Sequence, residues 1–156
     1  MIEVNIPGRG DYQFEHLVLD LNGTITLDGK TIEGVSDRLG LLRSMIDVLV
    51  VTADTLGKAQ ELGQSLQVKI KKIDPSDEQP QKLKLVQELG KDTTVSIGNG
   101  SNDALMLKES ILGICILGPE GTSFEAMANS DLVIANINAA LDLLLKPERL
   151  IATWRR

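Results

Sequence analysis

Short runs of Val, Ile and Leu punctuate the chain at 16–20 (HLVLD), 47–52 (DVLVVT), 68–73 (VKIKKI), 93–98 (TTVSIG), 111–117 (ILGICIL) and 131–135 (DLVIA). Their apolar positions are nearly continuous rather than alternating, the pattern of strands covered on both faces. Between them apolar residues return at helical spacing, as in Val35, Leu39, Leu42 and Ile46, or Ile137, Ala140, Leu141, Leu144 and Leu145. Such stripes predict amphipathic helices. Strands alternating with helices predict an α/β class with a parallel sheet.

Two stretches depart from that alternation. IEVNI (2–6) followed by PGRGD reads as an extra strand and turn ahead of the first parallel strand. ITLDGKTIEG, directly after that strand, alternates about Asp28 and Gly29, a dipeptide suited to a tight hairpin, and predicts a small β-hairpin flap. No repeat, low-complexity tract or linker interrupts the chain, which is expected to form one domain over 1–156, with PERLIATWRR a docked or frayed end.

Composition narrows the partners. Aromatic residues make up 3% of the chain, so the core must be aliphatic. A net charge of -6, with no run of Lys and Arg, lacks the counter-charge that phosphate backbones demand and argues against nucleic acid. No apolar stretch approaches the roughly 18–20 residues that cross a bilayer. MIEVNIPGRGDYQ has neither a basic start nor an apolar signal core, so a cytoplasmic location without a membrane partner is expected. The lone Cys115, inside ILGICILG, is expected to be a buried structural thiol.

In open α/β sheets ligands bind beyond the carboxyl ends of the strands, and those ends are polar here. Asp20 ends the first parallel strand and Thr52 the second, while TTVSIG runs into a glycine-flanked loop carrying Asn99, Asn102 and Asp103. Lys82 follows Pro80, a residue at home in the first turn of a helix. A lysine there opposes the helix dipole by about a few tenths of a kcal/mol, which predicts an anionic group in front of it; the plainer reading is a solvated surface lysine. Lys84 is the poorer candidate, because residues two apart on a helix do not share a face.

VLDLNGT, VVTAD, PQKLKLV and SIGNGSNDALML, in this order, resemble the motifs of the haloacid dehalogenase-like (HAD) phosphohydrolases. PQKLKLV and GNGSNDALML are most similar to the phosphorylation domain of P-type ATPases, of which this chain would be a soluble, stand-alone relative. The resemblance spans about residues 16–135. It implies a Rossmann-like (HAD-like) three-layer sandwich with a central parallel sheet, the β-hairpin flap and no cap domain. By the same resemblance Asp20 attacks a phosphoryl group and becomes an aspartyl-phosphate, Thr52 hydrogen-bonds the phosphoryl oxygens, and Lys82 neutralises charge. Mg²⁺ is implied as cofactor, held by Asp20, the main-chain carbonyl of Asn22, Asn99 and Asp103. Gly23, Thr24, Ala53 and Asn102 are implied around the substrate, with Gly23 and Gly100 permitting tight turns.

Two departures from the family pattern replace Asp by Asn. Asn22 stands where most of these phosphatases carry the Asp that protonates the leaving group and activates water. An amide cannot exchange a proton near neutral pH, and losing a general acid/base costs about 10²–10⁴-fold. Asn99 stands where the family usually supplies a direct Mg²⁺ carboxylate, which predicts weak Mg²⁺ binding. Both are followed by glycine, the context in which asparagine deamidates most readily.

Asp20 to Thr52 is 32 positions and Thr52 to Lys82 is 30, intervals that the flap, helices and strands nearly fill, so no cap domain fits. Family members without a cap tend to act on large substrates or close their sites by oligomerisation. The expected partner is a phosphorylated small molecule or phosphoprotein, with a homo-oligomer as one way to close the site; locally, only the flap around Leu27 to Lys30 serves as a lid. His16 is read as a strand-start residue, Asp54 as a site residue or a helix cap, and Trp154, Arg155 and Arg156 as tail contacts. GNGSND is no dinucleotide fingerprint, since Asp103 takes the place of the third glycine.

The leading functional expectation is a slow Mg²⁺-dependent phosphohydrolase. The alternative is a HAD-like module that binds phosphate, or accepts it, without useful catalysis. A receiver-type phosphoacceptor fits poorly, since that pattern wants an acidic pair after the first strand and a phosphoacceptor near mid-chain.

Overall fold

The computed structural model describes residues 1–54 and 57–156. It opens with an antiparallel hairpin of β1 (Ile2–Ile6) and β2 (Gly10–Phe14), registered Ile2 to Phe14 and Ile6 to Gly10. Ile2, Val4, Ile6 and Phe14 are buried while the residues between them on β1 are exposed, so the hairpin roofs one side of the core. Its second strand, GDYQF, carries too little apolar pattern to announce itself and forms because β1 offers it a partner.

The first parallel strand, β3 (His16–Asp20), leads into the flap, whose strands β4 (Thr26–Leu27) and β5 (Lys30–Thr31) pair antiparallel. Asp28 and Gly29 both adopt positive φ, 51° and 75°, the two-residue turn whose twist matches a hairpin. Then follow α1 (Val35–Leu42), β6 (Asp47–Thr52), α2 (Lys58–Leu66), β7 (Lys69–Lys72) and α3 (Glu78–Leu89). The second half holds β8 (Thr94–Gly98), a 3-10 turn at Ser101–Asp103, α4 (Ala104–Glu109), β9 (Leu112–Ile116), α5 (Phe124–Ala128), β10 (Leu132–Ile134), α6 (Ile137–Leu145) and α7 (Pro147–Trp154). Ile46 falls beyond α1, in the turn before β6, and is still buried.

Six strands form one parallel sheet in the order β10-β9-β8-β3-β6-β7. Every residue of β8 and β9 is buried, as the continuous apolar runs require. Side chains on the strands alternate between two packed layers. Leu17, Leu19, Val48 and Val50 meet α1, α2, α6, α7 and the N-terminal hairpin, whereas Val18 and Val51 meet Leu85 and Val86 of α3 and Met106 of α4. Each such aliphatic side chain contributes roughly 1.5–3 kcal/mol on burial. Sheet and helices thus make the expected three-layer α/β sandwich.

The closing segment is docked. Trp154 is buried, with the Arg9 guanidinium 4.7 Å from its ring centre and the Tyr12 ring centre at 4.8 Å. Asp142 on α6 accepts from Arg38 of α1 at 2.8 Å and from Arg149 of α7 at 3.3 Å, which ties three helices together.

The chain leaves β3 toward β6 and β7, then crosses back to lay β8, β9 and β10 on the other side. The loops after β3 and β8 therefore diverge at their carboxyl ends and leave a crevice between them. Asp20 stands at its base.

Candidate active site

The loop after β3 is folded onto a single carbonyl. Leu21 O accepts from the main-chain N–H of Thr24, Ile25 and Thr26 and from the Thr26 hydroxyl. Leu21 and Ile25 are buried on either side of the turn. Gly23 adopts φ 76° at its apex, a conformation that L side chains rarely take. The result places Asn22 in solvent, Thr24 in the interior and Asp20 beneath both.

Lys82 decides the electrostatics. It is fully buried, and its Nζ donates to Asp20 Oδ1 and Asp103 Oδ1, each at 2.7 Å. The anionic group anticipated in front of this lysine is the protein's own pair of carboxylates, and the reading of it as a solvated surface residue is wrong. Lys84 is exposed and pairs with Glu88 at 3.7 Å. Burial and the neighbouring Asp103 push Asp20 up to about 7, against the pull of Lys82 and Thr24. Burial alone would lower Lys82, but Asp20 and Asp103 outweigh it and raise it above the ordinary lysine range. Two carboxylates share one ammonium, so the buried cluster has an excess of negative charge.

Asp103 is fully buried and fully engaged. Besides Lys82, it accepts the main-chain N–H of Asn99 and Gly100 at 3.0 Å each through Oδ2. The cleft, of about 380 Å³, is lined instead by Asp20, Asn22, Thr52, Ala53, Asp54, Pro75, Glu78, Asn99, Gly100 and Asn102. In this geometry Asp103 holds Lys82 and the loop beneath the cleft. Thr52 accepts the Asp54 N–H at 3.1 Å, which leaves its own hydroxyl proton for a ligand. Asn102 lines the cleft with its Nδ2 committed to Glu78 Oε2 at 2.6 Å.

The oxygens beside Asp20 bear on a hard cation. Thr24 Oγ1 lies 3.2 Å from Asp20 Oδ2 and 3.1 Å from Asn99 Oδ1, yet it has one proton to give. Asn99 cannot supply another there, because its Nδ2 donates to Gly121 O at 2.9 Å. Three oxygens converge with one hydrogen among them; the shortfall is met by a proton on Asp20 or by a cation. Oxygen donors with surplus negative charge suit Mg²⁺. Among the described residues no group of three His, Cys, Asp or Glu side chains is placed to hold a metal, so any such site would draw on amide and main-chain oxygens.

Gly23 N–H donates to Thr26 O at 3.0 Å and Gly100 N–H to Asp103 Oδ2 at 3.0 Å. Each is the nitrogen that would have to attack the preceding asparagine during deamidation, so the fold restrains a reaction that the Asn-Gly pairs alone invite. His16 lies at the opposite end of β3 from Asp20, 3.8 Å from Asp47. Cys115 is buried, and burial, then Asp103, push its thiol up to about 11.

Two contributors escaped sequence reasoning. Glu78 lies one helical turn before Lys82, with Oε2 3.8 Å from Nζ; the four-residue spacing on α3 was the available signal. The loop after β9 clamps Asn99 through Gly121 O and the Ser123 N–H, and nothing in its composition marks it.

No family model matches the chain. Two proteins of Methanocaldococcus jannaschii, described only as uncharacterized, are similar to parts of it. MJ0073 is 49% identical over 78 residues, covering 47% of this chain and 84% of that protein. MJ0072 is 49% identical over 39 residues, covering 25% of this chain and 89% of that protein. The chain belongs to the same family as these two. Among solved structures, the 3-deoxy-D-manno-octulosonate 8-phosphate phosphatase of Moraxella catarrhalis, in complex with magnesium, phosphate and KDO, gives a TM-score of 0.66 at 21% identity, covering 91% of this chain and 94% of that one. The cobalt-bound phosphatase for the same ester from Haemophilus influenzae gives 0.68 at 15% identity, covering 92% and 94%. A zinc-transporting PIB-type ATPase in its E2.Pi state gives 0.62 at 20% identity, over 80% of this chain and 20% of that one. At these identities the likeness is one of fold, and the fold is HAD-like.

Proposed function

We propose that this chain is a Mg²⁺-dependent phosphohydrolase of the HAD superfamily that works through an aspartyl-phosphate on Asp20 and turns over slowly. The observation that carries the reading is the buried Lys82 bridging Asp20 and Asp103 at 2.7 Å each, at the carboxyl end of the central strand. A buried ammonium held by two carboxylates is costly to keep as a mere structural device, and here it abuts an open polar cleft.

In this reading Asp20 is the nucleophile, Thr52 donates to a phosphoryl oxygen, and Lys82 holds the charge that develops on the transferring group. Asp20, the Asn22 carbonyl and Asn99 would hold Mg²⁺, which would neutralise phosphoryl charge, while Asp103 positions Lys82 and the loop. Ala53 and Asn102 line the cleft, while Gly23 and the buried Thr24 shape the loop behind Asp20. The substrate class is a phosphorylated small molecule or phosphoprotein, as the phosphatases of like fold act on KDO 8-phosphate. The order of motifs and the likeness to a PIB-type ATPase support a P-type ATPase-like variant of the fold.

Asn22 and Asn99 favour a second reading, in which Asp20 accepts phosphate or the cleft binds it without useful turnover. Incubation with Mg²⁺ and acetyl phosphate or para-nitrophenyl phosphate, followed by phosphate release and mass spectrometry, separates the two. Product with an adduct on Asp20 supports the enzyme; adduct alone supports the phosphoacceptor; neither, in fresh protein, sinks the catalytic reading. Asp20→Ala should abolish both signals.

A further inference from the structure

Glu78 is a cleft carboxylate outside the family pattern. It stands on the first turn of α3, on the face that carries Lys82, and lines the same cleft as Asp20, Asn22 and Thr52. Its Oε2 is 3.8 Å from Lys82 Nζ, which itself lies 2.7 Å from Asp20 Oδ1, so Glu78 and the nucleophile flank one nitrogen. The Asn102 amide holds that oxygen at 2.6 Å, and Oε1 has no hydrogen bond among the described residues. With 27% of its side chain exposed, Glu78 lines the cleft that Asp20 opens into and meets solvent water.

We propose that Glu78 is the proton-transfer residue of this site, in the role that the amide of Asn22 cannot fill. The proposal rests on the reading of Asp20 as nucleophile. In hydrolysis of the aspartyl-phosphate, a water oxygen bonds to phosphorus as the phosphorus–oxygen bond to Asp20 breaks. Glu78 takes one proton from that water, Asp20 departs with the bonding pair as carboxylate, and Glu78 passes the proton to the released phosphate or to bulk water. When the donor is an alkyl phosphate, the same carboxyl group gives a proton to the leaving oxygen in the first step. When it is acetyl phosphate, acetate leaves as a stable anion and needs none.

That difference isolates the second step. The chain is loaded with Mg²⁺ and acetyl phosphate, the donor is removed, and decay of the phosphoryl adduct is followed by intact-mass spectrometry. Glu78→Gln should form the adduct as the wild type does and lose it about 10²-fold or more slowly, the range of a missing general base. Glu78→Ala should behave likewise and regain faster decay when formate is added, a response that altered folding would not produce. Wild-type decay in Glu78→Gln overturns the proposal, as does failure of that variant to form the adduct, which would reduce Glu78 to positioning Lys82. If the wild type shows neither adduct nor phosphate release, the nucleophile reading itself falls and the role of Glu78 with it.

Discussion

A methyl group on Gly98 would stand 2.5 Å from the Asp103 carboxyl carbon, so the last residue of β8 is glycine because the carboxylate that anchors Lys82 fills the space beside it. Gly98→Ala should therefore displace Asp103 and cost about 1–3 kcal/mol, the usual penalty of overpacking. Urea unfolding measures the loss; an unchanged midpoint would show that Asp103 can move freely.

Removing the ammonium should hurt more than crowding it. Lys82→Met leaves Asp20 and Asp103 buried without their shared counter-charge, and breaking a buried pair in this way costs about 3–5 kcal/mol. The comparison variant Lys84→Met removes an exposed lysine and should fall within about 0.5 kcal/mol of the wild type in the same titration.

Metal affinity should respond to one charge. The wild type is expected to bind Mg²⁺ weakly in the absence of phosphate, and Asn99→Asp should tighten binding by about tenfold or more, since a carboxylate then faces Thr24 where an amide oxygen now does. Calorimetric titration checks this. Micromolar affinity in the wild type would contradict the electrostatic argument.

Asn22→Asp restores the carboxyl group that the family pattern places two residues after the nucleophile, and in the Glu78→Gln background, which lacks the proposed base, it should raise phosphate release by about 10²–10⁴-fold. Aged wild-type protein should not drift toward that activity, because the Gly23 and Gly100 N–H groups are both hydrogen-bonded. Peptide mapping of stored protein would reveal deamidation at either site if the restraint were too weak.

The helix-tying cluster predicts an acid limit. The side-chain hydrogen bond from Arg38 holds the Asp142 carboxyl below its ordinary 3.8. A carboxyl group depressed in the folded state contributes stability above its unfolded value, and that contribution is lost as pH falls through the folded value. Unfolding midpoints should drop below about pH 4, and Asp142→Asn should flatten that dependence while lowering stability at neutral pH.

How much of this molecule could be read without coordinates follows from the range of the interactions involved. The central parallel strands and the long helices were legible because a strand buried on both faces must be apolar throughout and a helix on one face must repeat, conditions written locally; the edge strand β7, largely exposed lysine, does not meet the first of them. The flap was legible for the same reason, in the Asp28–Gly29 turn, and the resemblance set Asp20, Thr52, Lys82 and the glycine-flanked loop in order along the strand ends. Local pattern failed at β2, which needs β1 to exist, and at the closing helix, which is held by Arg9 and Tyr12 from the other end of the chain. The tertiary structure alone decided that Lys82 is wholly buried, that Asp103 spends both oxygens on it and on the loop, and that Glu78 faces the cleft. Those facts depend on which charges meet after the strands cross back at β3, where desolvation makes each unpaired group expensive, and no spacing along the chain records that distance.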